Sequence, residues 1–135
     1  MGTVGQALIW PTTGDVIGAH DRAVAATGGA AGLRDEGALE SAIHRPLASF
    51  GGVELYPGLE LKVAALIESL IRNHPFVDGN KRTSMLVGLA TLRVNGLSVI
   101  ADDSDIEWVA VAVAERRMDL SALTTWVRRT VNSAQ

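Results

Sequence analysis

Two long apolar segments, Leu59–Ile71 and Thr83–Val94, dominate the chain, and only a short polar stretch separates them. Read as helices, each has at most a narrow polar stripe. In the first, over residues 58–73, the stripe is Glu60, Glu68 and Arg72, spaced at multiples of four. Two nearly all-apolar helices cannot both lie on the surface of a 135-residue chain. Both must therefore be central, and the expected fold is all-α, a compact bundle of about six helices. A sheet of four or more strands would contradict this reading.

The joint between the two helices reads His74-Pro75-Phe76-Val77-Asp78-Gly79-Asn80-Lys81-Arg82-Thr83. Pro75 biases His74 away from helical angles, so the first helix should end near Asn73. Gly79 permits a tight turn at positive φ. Asn80 suits the N-cap of a second helix that begins at Lys81 or Arg82. The backbone N–H groups of residues 79 to 82 would then face outward, where a helix N-terminus attracts phosphate. Lys81 and Arg82 add full positive charge there. Asp78 supplies an oxygen ligand suited to Mg²⁺, which favours a carboxylate together with phosphate oxygens. Histidine has an ordinary pKa near neutrality, so His74 suits a general base. Phe76 reads as a core plug that anchors the loop.

This stretch resembles the Fic/Doc superfamily motif, whose Fic branch reads H-x-F-x-D/E-G-N-G-R-x-x-R. Lys81 stands where the Fic branch has Gly, and Met85 where it has a second Arg. Both departures match the Doc (death on curing) toxin branch, whose pattern ends A/G-N-K-R-T. Gly18-Ala19-His20-Asp21, Gly32-Leu33-Arg34-Asp35, Leu39-Glu40-Ser41-Ala42, Arg45-Pro46, Phe50-Gly51-Gly52 and Tyr56-Pro57 are similar to Doc-type stretches too. The resemblance implies a single Fic-like domain over residues 1–135, with a short flap before the central helix. It also implies a toxin held by a cognate antitoxin with a disordered C-terminal tail. Its activity would be transfer of the γ-phosphate of ATP, with Mg²⁺, to a hydroxyl of a translation factor, elongation factor Tu being the leading candidate.

Three functional readings stay open on sequence. In the first, His74 accepts the hydroxyl proton and Asp78 holds Mg²⁺. Gly79, Asn80 and Lys81 line an anion hole, and Lys81 and Arg82 neutralise phosphate charge. In the second, the same residues transfer a nucleotidyl group such as AMP. In the third, the loop binds phosphate without catalysis and the protein acts by docking. Lys81 and Met85 favour the first over the second. They add a cation at one end of the phosphate tract and remove one at the other, which should turn the terminal phosphate toward His74.

Composition excludes other classes. With no Cys, disulfides, thiolate metal sites and cysteine nucleophiles are out. A formal net charge of −3 gives no case for direct DNA binding. The first fourteen residues carry no charged side chain, and no apolar run reaches the ~18 residues of a membrane span. The expected setting is the cytoplasm, with no membrane partner.

Elsewhere, residues 1–10 read as either a short strand or a loose arm. Thr12 and Asp15 can cap a helix that runs to about Ala26 and stops at Gly28-Gly29. Within it, His20 and Asp21 read as a buried pair bracing nearby backbone. Asp35 can cap a second helix through Arg45, limited by Pro46. His44 is assigned no chemistry. Residues 46–57 read equally as a connecting loop or as a flap that pairs with an extended target. Ser104 and Glu107 form a capping-box pattern before a helix ending near Arg117. Asp119 can cap the last helix, where Leu120, Leu123 and Val127 share a face.

Overall fold

The computed structural model describes residues 7–133, in which six α-helices and one two-stranded hairpin are present. Met1–Gln6, the greater part of the proposed N-terminal strand or arm, lie outside the described residues. The helices are α1 (Thr13–Thr27), α2 (Glu36–His44), α3 (Leu59–Asn73), α4 (Asn80–Val94), α5 (Asp103–Ala114) and α6 (Leu120–Ser133). The all-α expectation holds.

Local chemistry starts the first two helices as the sequence predicts. Thr12 and Asp15 form a reciprocal capping box on α1, and Gly28 ends that helix in the left-handed region at φ 74°. The Asp35 carboxylate accepts from the Ala38 N–H at the start of α2. The α-helix stops at His44, one residue short of the expected Arg45. Pro46 then sits at the start of a 3₁₀ turn, Arg45–Leu47, where its missing N–H costs nothing.

α3 is the axis of the molecule. Val63, Ile67 and Ile71 face one core with α4, α5 and α6, while Leu66 and Leu70 face a second with α1 and α2. Burying each such side chain contributes about 1.5–3 kcal/mol. Glycine at position 88 lets α4 pack directly against the Ile67 side chain of α3. A Cβ there would overlap Cγ1 and Cδ1 of Ile67. The Glu68 end of the polar stripe is buried, at 4% exposure, and is neutralised from two sides. Arg45 reaches its carboxylate at 2.9 Å and Arg72 at 3.0 Å. One uncompensated charge here would be costly, but the pair of guanidinium groups satisfies both oxygens.

Residues 46–57 carry a short hairpin rather than an unstructured loop. β1 (Ser49–Phe50) pairs antiparallel with β2 (Val53–Glu54), in the register Ser49 to Glu54 and Phe50 to Val53. Both strands are exposed. The base of the hairpin is tied to α3: buried Lys62 donates to the Glu54 carboxylate and to the Tyr56 carbonyl, and Arg45 donates to the Tyr56 hydroxyl.

Two C-terminal details differ from expectation. The Ser104–Glu107 capping box does not form, because the helix begins two residues earlier than a Ser104 cap would set it, at Asp103 with Asp102 as the N-cap, and Ser104 Oγ donates to the Asp102 carboxylate instead. α5 ends at Ala114 rather than near Arg117. Arg116 turns left-handed at φ 60°, and the Arg117 and Met118 amides bond back to the Ala112 carbonyl. Asp119 caps α6 through the Ala122 amide, as expected. Among the described residues no helix is long and apolar enough to cross a membrane.

Candidate active site

α3 ends at Asn73, and His74 takes left-handed angles, φ 52° and ψ 56°. Proline at 75 closes the right-handed region to it, so the chain leaves the helix sharply and the His74 side chain emerges exposed. Phe76 then turns inward to 1% exposure and stacks on the His20 ring, with centroids 3.9 Å apart and planes 6° from parallel. His20 is itself buried, and its Nε2 lies 2.7 Å from the Asp78 carbonyl. A carbonyl only accepts, so Nε2 carries the proton. His20 thus braces the loop, as the sequence suggests. Asp21 does not join it: that side chain is 70% exposed and 3.9 Å from the His20 Nδ1.

Asn80 plays a different part from the cap expected. Gly79, at φ 76°, is the N-cap, and Asn80 is the first residue of α4. Its buried amide staples the loop instead: Oδ1 accepts from the Phe76 N–H at 3.0 Å and Nδ2 donates to the Phe76 carbonyl at 2.9 Å. Both polar groups of a buried backbone residue are satisfied by one side chain, which an N-cap role could not do.

The Asp78 carboxylate is exposed and draws two backbone donors. Oδ1 accepts from the Gly79 N–H at 2.8 Å and Oδ2 from the Ala30 N–H at 3.3 Å. The Gly79 amide first, then the Ala30 amide, hold this carboxyl below its ordinary pKa. It is a fixed anion with lone pairs to spare. The Gly79 N–H expected to face an anion therefore faces Asp78. The first backbone bond of α4 runs from the Thr83 N–H to Gly79 O, so the amides of Asn80, Lys81 and Arg82 precede it. Lys81 and Arg82 are exposed on that turn.

Asp78, Gly79, Asn80, Lys81 and Arg82 all line one cavity of about 490 Å³ between the start of α4 and α5. Its walls are apolar: Met85, Leu86 and Leu89 from α4, and Ile106, Ala110 and Val111 from α5. Asp103 and Glu107 add two carboxylates. His74 lies outside this lining, on the same loop as Asp78. Among the described residues no group of three or more His, Cys, Asp or Glu could enclose a metal. A single carboxylate completed by ligand oxygens is the kind of site Mg²⁺ uses, and Asp78 fits it.

Sequence reasoning assigned no role here to the α1–α2 connector, yet it grips the loop along its length. Arg34 and Asp35 amides donate to Pro75 O, the Val77 amide donates to Gly32 O, and Leu33 bridges Phe76. Gly29 is hemmed in as well, since a Cβ there would meet Asp78 Oδ2 at 3.0 Å.

Residues 10–92 match the Fic/DOC family. The chain is 45% identical over 100 residues to Toxin Doc of Mycolicibacterium smegmatis, which covers 73% of this chain and 77% of that protein. It is 31% identical over 121 residues to Protein kinase doc of Escherichia phage P1, covering 90% and 94%. Motif, helical scaffold and relatives agree, and the chain belongs to the Fic/DOC family.

Proposed function

We propose that the protein is a Doc-type toxin that transfers the γ-phosphoryl group of ATP to a protein hydroxyl, with elongation factor Tu as the leading acceptor and arrested translation as the result. The cavity beside α4 carries this reading. Its walls offer methionine, leucine, isoleucine and valine, and among the described lining residues the charges beyond Lys81 and Arg82 are the carboxylates of Asp78, Asp103 and Glu107. A phosphate tail would be repelled there, whereas a nucleoside would be covered and its hydroxyl and amino groups given acceptors. With the nucleoside inside, the phosphates lie across the first turn of α4, and the terminal one is directed to the His74 side. The name of the phage relative, a protein kinase, points the same way.

The acceptor oxygen attacks the γ-phosphorus, the bond to the β–γ bridging oxygen breaks, and ADP leaves. His74 takes the proton of the attacking hydroxyl. Lys81, Arg82 and the first-turn amides of α4 neutralise charge on the transferring group. Mg²⁺ held by Asp78 would neutralise phosphate charge further. The exposed hairpin, with Phe50 and Val53 outward, offers an extended acceptor segment an edge to pair with. A cognate antitoxin with a disordered C-terminal tail would restrain the enzyme by folding onto it.

The test is transfer from ATP labelled at the γ or the α position, to purified elongation factor Tu and to a bacterial lysate. Label from γ with ADP released is expected. Label from α with pyrophosphate released would replace this reading by nucleotidyl transfer. No label from either, with toxicity retained, would favour docking without catalysis.

A further inference from the structure

We infer that Arg34, from the α1–α2 connector, is a positioning residue that fixes the backbone of His74 and so aims its imidazole. The inference rests on His74 being the base of the proposed reaction, and it adds how the fold sets that base.

His74 is the one loop residue whose conformation is intrinsically costly. A non-glycine residue in the left-handed region crowds its Cβ against the backbone, and such angles persist only where the surroundings over-determine them. Pro75 forbids the right-handed alternative but leaves the extended region open. Something else must choose the left-handed one.

Arg34 supplies that choice. Its Nε donates to the His74 carbonyl at 2.8 Å and its Nη2 to the Asn73 carbonyl at 3.0 Å. These carbonyls belong to the two peptide planes that flank the His74 Cα. Holding both planes at once fixes φ and ψ of residue 74, and with them the direction of its Cα–Cβ bond. Only the side-chain torsions remain free. The planar guanidinium fork is suited to this, because its two donors are rigidly related. The position also favours a cation, since the last carbonyls of α3 lack intrahelical partners and carry the negative end of the helix dipole.

Arg34 is held in turn. Its own amide donates to Pro75 O at 2.7 Å, and Asp35 donates to the same carbonyl at 3.0 Å while capping α2. The Asn73 side chain donates to Ala38 O on α2 at 3.0 Å. The fork is therefore anchored to the start of α2, a different element from the two helices that flank the loop. Because Arg34 is exposed, its guanidinium can be removed without opening the core.

The experiment compares the full-length wild type with Arg34→Ala and Arg34→Lys. Helical circular dichroism should be retained in both variants. With elongation factor Tu as acceptor, Arg34→Ala should lower kcat about 10- to 100-fold, as for a reacting group displaced by about an ångström, with KM for ATP within about twofold. Arg34→Lys, which cannot bridge two carbonyls rigidly, should recover only part of the loss. The imidazole C–H signals, assigned with His74→Gln, give a readout independent of activity. In Arg34→Ala the His74 signal should move toward that of an unstructured histidine while His44 stays in place. If the wild type transfers no phosphate, the kinase reading fails and the His74 signal alone decides the role of Arg34. An unmoved His74 signal in Arg34→Ala overturns the inference, as does a parallel loss of kcat, ATP affinity and helicity.

Discussion

Replacing His20 separates two contributions to the rigidity of the loop. The ring is 1% exposed, stacks on Phe76 at 3.9 Å, and donates through Nε2 to the Asp78 carbonyl at 2.7 Å. His20→Phe keeps an aromatic ring against Phe76 but leaves the carbonyl without its donor. A fully buried acceptor that loses its partner costs about 1–3 kcal/mol, and this part-buried carbonyl should fall toward the lower end. His20→Ala loses that bond, the stack worth about 0.5–1.5 kcal/mol, and the volume of the ring, and should approach the roughly 3–5 kcal/mol of an aromatic-to-alanine change in a core. A domain of ordinary stability, about 5–15 kcal/mol, survives the first change and is marginal after the second. Urea unfolding followed by tryptophan fluorescence gives both values, provided the slope with denaturant is unchanged. If His20→Phe is as stable as the wild type, the Nε2 bond to the Asp78 carbonyl does not hold the loop, and the stack on Phe76 alone does.

Other outcomes follow from single contacts. His74→Ala should cost on the order of 10²–10⁴ in transfer rate with the unfolding midpoint nearly unchanged, since the side chain is exposed; a variant that stays fully toxic would remove His74 as the base. Gly88→Ala should destabilise by about 1–3 kcal/mol through overpacking against Ile67, seen as a lower urea midpoint. The Asp78 carboxyl is held below its ordinary pKa in the folded state by the Gly79 and Ala30 amides. Its contribution is therefore present above the unfolded carboxylate pKa and is lost as pH falls through the lower folded one. Asp78→Asn should flatten that acid limb of a stability-versus-pH curve, and an unchanged limb would refute the assignment.

The sequence was most legible where the deciding physics is local. Pro75 keeps His74 out of the right-handed helix, Gly79 accepts positive φ, and Thr12, Asp35 and Asp119 sit where helix amides need acceptors. The apolar runs around the loop likewise dictated two central helices. Legibility failed where two local options compete and distant atoms decide. Asn80 is a good N-cap in isolation, but the polar groups of Phe76 become buried once that ring enters the core, and they capture the amide first. Asp21 was expected beside His20, yet successive helix positions point about 100° apart, and only one of them faces the loop. Arg34 stands forty residues from His74 and follows no spacing rule.

These failures have a common origin, which bears on how the site works. The side-chain and amide contacts that shape the loop, beyond the turn residues themselves, come from α1, the start of α4 and the α1–α2 connector: His20 on the Asp78 carbonyl, Asn80 on Phe76, Arg34 on Asn73 and His74, Ala30 on the Asp78 carboxylate. α3 and α4 present the loop, and their close packing at Gly88 makes that platform stiff. A stiff platform alone would still leave the ten-residue stretch free to sample extended angles at His74 and to swing Asp78 away. The N-terminal segments remove that freedom. In the proposed reaction, His74 and the Asp78 anion held in advance would lose little order when substrate arrives, and such preorganisation would supply much of the rate advantage. Damage to α1 or to the connector should therefore impair chemistry before it impairs folding, whereas damage at the α3–α4 contact should do the reverse.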